Sequence, residues 1–242
     1  MSLPRSALLS LWLNAALDGA VGPDDFASAV RDEDPQHLVL GWPGSPEPHR
    51  LEDLPAAVRR SGGTRAALAL PVPGDPLGLA GPAAFNAAAV DLGEAVVVVG
   101  PAPVGLLPET DARTVLWTAR PVENPAVLDP FEEGRLLRQV LLTVTAELVR
   151  LDVAGWQPEI PDLLLNLAHR EPLPLPPGTA PRTVETVERA DLCLEIVALA
   201  RVDDGGAVSS TEAAARTRCL NDLDVAARRA LVASCSASLI AS

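Results

Sequence analysis

The sequence predicts an α+β fold: a small mixed or parallel sheet of about four strands with flanking helices, followed by a helical C-terminal part. Three observations carry this expectation. Short, nearly continuous apolar runs bounded by Gly and Pro read as strands covered on both faces. Helical patterns alternate with those runs up to about residue 125. From Asp129 onward the apolar spacing changes to three and four residues, and strand patterns cease. The expected division is an α/β layer over 1–125 and a helical region over 129–242, with room for both to form one continuous globular unit.

The elements follow in order. Ser6–Asp18 sets Leu8, Leu9, Trp12, Leu13 and Ala16 on one broad face and stops at Gly19, which reads as an amphipathic first helix. Asn14 and Asp18 interrupt this stretch and no small-residue cleavage site follows, so it is not read as a leader and a cytoplasmic chain is expected. Pro23–Val30 is a second short helix, with Pro at its start and acidic residues in its first turn. Asp32–Pro35 is a turn. Leu38–Gly41 is a first strand, a loop runs to His49, and Leu51–Arg60 is a helix closed by Gly62 and Gly63.

Ala66–Leu70 is the next strand. Pro71–Pro82 carries too many prolines for a ladder strand or a helix interior. Pro82 suits the first turn of a helix over Ala83–Leu92, with Gly93 as its stop. Glu94–Val99, rich in β-branched Val, is the third strand. Pro101–Pro108 is expected to be another Pro/Gly loop, and Thr114–Ala119 the fourth strand, ended by Arg120 and Pro121.

Asp129-Pro130-Phe131-Glu132 is a strong helix start, with Asp as N-cap, Pro at the first helical position and Glu at the third. Leu137, Val140, Leu141, Val144, Leu148 and Leu151 then recur at helical spacing, and the helix is expected to end near Gly155. Pro161–Arg170 reads as a shorter helix, and the proline-rich 171–182 as an extended connector. Val184–Val202 forms a helix with Val187, Leu194 and Val197 on one face. After a turn at 203–206, Ser209 and Glu212 can cap a last helix running to about Ala233. Its Ala-rich stripe lets another helix approach closely: its hairpin mate, the long helix from 130, or a second subunit in a homodimer through the C-terminal helices.

Composition excludes several classes. The 242 residues carry a net charge of −13, which repels phosphate backbones and anionic lipid, so neither nucleic acid nor a membrane is expected as a partner. All 19 basic residues are Arg. Without Lys there is no Schiff base and no Walker or kinase-type lysine. Cys193, Cys219 and Cys235 form no CxxC, so neither a zinc ribbon nor a disulfide framework is signalled. Cys193 and Cys219 share helical stripes with apolar residues and read as core thiols.

One stretch has the form of a site. A strand, a glycine loop and a helix N-terminus together favour an anion. The spacing Gly74, Gly78, Gly81 matches neither the dinucleotide fingerprint nor the P-loop, and Asp75 opposes a phosphate. The loop therefore reads either as rigid turn chemistry or as a ligand-contacting loop. His49 and Glu109 lie in segments expected to be loops. In a parallel sheet they would converge with Asp75 at the carboxyl ends of the strands, where a His and a carboxylate can exchange protons; otherwise they are ordinary loop polar residues. His37, His49 and His169 have no metal-ligand spacing, and Asp32, Asp34 and His37 lack the EF-hand glycine and terminal Glu, so they read as a solvated turn. No GxSxG elbow occurs, and Trp42 and Trp117 read as core or rim packing. No catalytic residue, metal or cofactor is assigned. The leading reading is a non-catalytic cytoplasmic binding or protein-interaction protein; the alternative is a hydrolase-like small-molecule enzyme sited at the 71–82 loop.

The stretch ALPVPGDPLGLAGPAAFNAAAVDLGEAVV, residues 69–97, resembles uncharacterised proteins of high-GC actinobacteria. The resemblance covers mainly residues 66–110 and extends to the helices of 130–167. It implies a bacterial cytoplasmic protein, and it brings no named activity and no functional residue.

Overall fold

The structure, a computed structural model, describes residues 3–31, 34, 36–111, 114–150, 172–202 and 210–237. These fall into two compact units. The first holds those within Met1–Leu128, Pro174–Pro181 and Val232–Ser242, and the second those within Asp129–Leu173 and Arg182–Leu231.

The first unit is built on a six-stranded mixed sheet in the order β2-β1-β6-β5-β4-β3. The strands are β1 (Gln36–Leu40), β2 (His49–Arg50), β3 (Arg65–Ala69), β4 (Ala95–Val99), β5 (Val104–Asp111) and β6 (Thr114–Pro121). Its helices are α1 (Arg5–Leu17), α2 (Pro23–Arg31), α3 (Leu54–Arg60) and α4 (Ala83–Leu92), with a short 3-10 turn at Leu51–Asp53. Two strands exceed the four expected. β2 is only two residues long, too short to show a pattern. β5 runs through the segment expected to be a Pro/Gly loop. Its pairing with β4 ends at Leu106 opposite Val96, so Pro108 has only β6 beside it and its missing N–H removes no ladder bond on the β4 side.

The sheet is also less parallel than the alternation of strands and helices suggested. β1 and β6 run parallel, while the other four neighbouring pairs are antiparallel. β3 and β4 are among the antiparallel pairs, with Ala69 opposite Ala95. The 71–82 loop and α4 make a round trip that returns the chain to the end of the sheet it left. Gly93 closes α4 in the left-handed conformation, φ 77°, as its place in the sequence predicts.

The period of two along the strands builds two cores. Ala66, Val96, Val98, Val104, Leu106, Val115, Trp117 and Ala119 meet α1, α2 and α3 on one face. Ala69, Ala95 and Leu107 meet Phe85 and Ala89 of α4 on the other. A Cβ at Gly105 would lie 2.3 Å from the Phe85 ring, so only glycine lets that ring lie on β5.

The first helix is not amphipathic. Residues 6–11 and 13–16 of α1 are all buried, including Ser6, Ser10 and Asn14 at four-residue spacing. A helix closed in on every side shows no apolar stripe to find. Its first turn is satisfied from outside: the Ser6 N–H donates to the Glu94 carboxylate at 2.7 Å, and burial pushes the Glu94 carboxyl above its ordinary range.

Asn14 also closes the free edge of the sheet. The Ala66 N–H donates to Asn14 Oδ1 at 2.7 Å, and Asn14 Nδ2 donates to the Ala66 carbonyl at 2.9 Å and to the Cys235 carbonyl at 3.2 Å. One step along the edge, the Leu68 N–H donates to Ser236 Oγ at 2.9 Å. Ala66 and Leu68 are the alternate residues whose backbone groups point away from β4, so side chains hold what a seventh strand would otherwise take.

The second unit is helical among the described residues, with α5 (Pro130–Arg150), α6 (Pro181–Val202) and α7 (Ser210–Cys235, through Leu231). Asp129 Oδ1 accepts from the N–H groups of Phe131 and Glu132 at 2.8 and 3.2 Å, the capping that the sequence predicts. Glu133, buried on α5, pairs with Arg229 of α7 at 2.9 Å. Cys193 is buried and burial pushes its thiol up to about 11, whereas Cys219 is only partly buried and is no core thiol. The expected helix over 161–170, with His169, and the capping residue Ser209 lie outside the described residues. Among the described residues no helix is long and apolar enough to cross a membrane.

A candidate binding cleft at the corner of the sheet

The 71–82 loop is ordered by its own turns. Val72 and Asp75 exchange backbone hydrogen bonds at 3.0 and 2.9 Å around Pro73 and Gly74, whose φ is 86°. Gly78, φ 84°, lies so close to β3 that an added Cβ would sit 2.7 Å from the Leu68 carbonyl oxygen. Gly81 is buried, and its carbonyl accepts from the Glu123 N–H at 3.1 Å.

The three polar candidates are not brought together. His49 is in β2, and the row across the sheet runs His49, Val39, Trp117, Pro108. Glu109 is therefore three strand spacings away, about 14 Å. Asp75 follows β3 at the opposite edge, five spacings or about 24 Å from β2. A convergence at carboxyl ends required parallel strands, and here antiparallel pairing sends the strand ends to both sides. His49 instead packs edge-on against Trp42, with ring centroids 6.4 Å apart.

A different constellation forms where β1 meets α2. β1 turns His37 and Val39 inward, and β6 turns Val115 and Trp117 to the same face. Trp117 Nε1 donates to His37 Nδ1 at 3.2 Å, and both side chains are buried. An indole N–H only donates, so Nδ1 carries the lone pair and the neutral ring has its proton on Nε2. That Nε2 has no hydrogen-bond partner among the described residues; Asp34 Oδ2 is 3.7 Å from it, within reach of one bridging water.

Asp34 is itself held by Arg5, whose Nε and Nη2 donate to its two oxygens at 2.6 and 3.1 Å. This pairing holds the Asp34 carboxyl below its usual range. Burial pushes His37 below its ordinary value; the charges of Arg5 and Arg31 act the same way, and Asp34 opposes them. Asp32, the other carboxylate expected in this turn, lies outside the described residues.

Beside this cluster opens a cleft of about 520 Å³. Arg31 at the end of α2, Gln36, His37 and Leu38 of β1, and Arg50 of β2 line it, with Glu52 of the 3-10 turn and Thr114 of β6. Arg31 pairs with Glu52, whose carboxyl is held down first by its own backbone N–H and then by that guanidinium. Arg50 is exposed and makes no ion pair among the described residues. The lining therefore has one positive charge in excess, Arg31 and Arg50 against Glu52, in a chain of net charge −13.

The His37 environment has a measurable consequence. Protonation would put a second N–H on Nδ1, facing the indole N–H, so the Trp117 bond would be lost. Because the folded-state value lies below that of the unfolded chain, the unfolded state binds the proton first as pH falls. Stability is complete above about pH 6.5 and declines below it toward the lowered folded value. Urea unfolding at a series of pH values is expected to show this decline, and a shallower one in His37→Gln. Equal slopes in the two proteins would remove His37 as its source.

Residues 6–130 match the model of the Rv1486c-like protein, N-terminal domain, and residues 132–232 that of the Rv1486c-like protein, C-terminal domain. The chain belongs to the Rv1486c-like family. Its relatives include uncharacterised protein Rv1486c of Mycobacterium tuberculosis strain H37Rv, 38% identical over 125 residues that span 43% of each chain. Uncharacterised protein MAV321 of Mycobacterium avium is 28% identical over 246 residues, 82% of this chain and 80% of that one. The chain thus spans 43% of the M. tuberculosis relative's length. No solved structure matches. The mycobacterial relatives agree with the actinobacterial resemblance of residues 69–97. The cleft residues all fall within the match to the family's N-terminal domain.

The sequence reads His37 as part of an acidic turn and Trp117 as packing; Trp117 is indeed in the core, and what that reading lacks is its bond to His37. The available signal was phase: in QHLVL and TVLWTA, each sits in the inward register of its strand, and a histidine in that register demands a partner.

Proposed function

We propose that this is a non-catalytic cytoplasmic binding protein that holds a small molecule in the cleft between α2, β1 and β2. The observation that carries this reading is a cleft of about 520 Å³ whose lining sets the exposed Arg50, which makes no ion pair among the described residues, beside Gln36 and Thr114. The volume lies in the range of small-molecule sites, about 300–1,000 Å³.

Binding is favoured over proton-transfer chemistry by the state of the acids and bases beside the cleft. A general acid or base works best with its titration near the operating pH. Asp34 is instead held down by Arg5, Glu52 by its own backbone N–H and by Arg31, and burial pushes His37 below its ordinary value.

The test uses the indole N–H of Trp117 as a reporter in ¹H–¹⁵N spectra of the full chain, since it is bonded to His37. A mixed panel of small acids, amines and neutral polar compounds is expected to contain members that shift this resonance at saturable concentration. A panel that moves only the other indoles would move the site elsewhere, and one that moves none would remove the reading.

A further inference from the structure

We infer that the ligand of this cleft presents an oxyanion, a carboxylate or phosphate group, to Arg50; the inference rests on the proposed binding role of the cleft. The first reason is charge. Both carboxylates nearest the cleft are already committed, Asp34 to Arg5 at 2.6 and 3.1 Å and Glu52 to Arg31. Arg50 is the guanidinium of the lining that no described carboxylate holds at contact distance. Glu52 keeps one oxygen without a hydrogen-bond partner among the described residues, but Arg31 pairs with the other and the Arg50 charge also acts on it, so a cationic ligand would compete there with two guanidiniums. An oxyanion would meet a planar fork of donors that matches its geometry in two parallel bonds.

The second reason is the register of the strands. Leu38 is paired with Arg50 on one side and with Leu116 on the other, and Gln36 with Thr114, so Arg50, Gln36, Leu38 and Thr114 share one face of the sheet. β2 covers β1 only at Leu38 and Val39, which leaves the Gln36 end of β1 unpaired on that side. Arg50 therefore stands at the end of a short edge strand, over a step in the sheet floored by an amide and a hydroxyl. Both of these neutral groups can donate to an anion.

The third reason is the surrounding field. In a chain of net charge −13, a cleft with one positive charge in excess focuses small anions against a repulsive background. The interaction should weaken as salt is raised, because Arg50 is exposed.

The experiment titrates the full chain at low ionic strength with inorganic phosphate and, separately, with succinate, read by calorimetry and by the Trp117 indole N–H. Saturable binding of either probe is expected, with a shifted Trp117 resonance and an affinity about 10- to 100-fold lower in Arg50→Gln, the range of one charge-assisted pair. Arg50 is exposed, so this variant is expected to unfold at the wild-type urea concentration. Binding of succinate without phosphate would identify a carboxylate ligand, and the reverse a phosphate. If neither probe binds, or Arg50→Gln binds both as well as the wild type, the oxyanion assignment is overturned. A neutral or amine compound that shifts Trp117 while both probes fail would leave the cleft a binding site and defeat the oxyanion class alone. No shift from any compound would defeat both.

Discussion

Replacing Asn14 by alanine is expected to lower the unfolding free energy by about 3 kcal/mol. The side chain is 2% exposed and makes three hydrogen bonds, two of them to the single residue Ala66. Ala66 is fully buried, so losing Asn14 orphans its N–H and its C=O together. Each orphaned buried group costs about 1–3 kcal/mol when no water enters the hole to bond to it. Ser10 is the matched control. It is equally buried on the same helix face, but its hydroxyl has no partner among the described residues, so Ser10→Ala removes a desolvated group and loses no bond seen there. Urea unfolding of the two variants should separate them by roughly 2 kcal/mol or more. Comparable midpoints would mean that water, not Asn14, satisfies the edge of β3. The consequence extends past stability: an unguarded β3 edge is a template for pairing with a second chain, so Asn14→Ala should also aggregate sooner on heating.

Gly78→Ala is expected to cost about 3 kcal/mol or more, from two separable causes. Its φ of 84° is left-handed, which costs an L-residue about 1–2 kcal/mol. Its Cβ would also lie 2.7 Å from both the Leu68 carbonyl oxygen and the Ala69 Cα. Those atoms are backbone in a paired strand and cannot turn aside as a side chain would. Overpacking of this kind adds about 1–3 kcal/mol. Gly74 separates the two terms, because it has nearly the same φ, 86°, and nothing within 4 Å of an added Cβ. Gly74→Ala should therefore show the conformational term alone. Equal losses at the two positions would show that the loop yields at Gly78, and that its approach to β3 is not rigid.

These two residues show where the sequence was legible. The glycines of the 71–82 loop could be read as turn chemistry from their spacing with proline. Nothing in that spacing could say that Gly78, unlike Gly74, abuts β3. In the sequence Asn14 reads as an interruption of an apolar stretch. Its four-residue interval from Ser10 and Ser6 was a usable sign of a polar stripe on one helix face. What that stripe faces depends on Ala66, 52 positions away, and Cys235, 221 away.

The site divides in the same manner. His49, Asp75 and Glu109 converge only if the strands are parallel. The antiparallel return of β4 beside β3, and the passage of β5 through a proline-bearing segment, spread them over the sheet instead. His37, Trp117, Arg31 and Arg50 come from four separate elements, and only the parallel pairing of β1 with β6 sets His37 beside Trp117.

By itself, the sequence determined the local events: the Asp129 cap, the left-handed stop at Gly93, the strands of 66–70, 94–99 and 114–119, and the change to helical spacing after 129. Each depends on propensity, capping or periodicity within one turn or one strand, where neighbouring residues carry all the needed information. The tertiary structure alone decided strand order, strand direction, the closing of the β3 edge by Asn14 and Ser236, and the corner where His37 meets the cleft. Those depend on contacts between distant residues, whose loop-closure entropy is repaid only when many form together, so no short stretch records them.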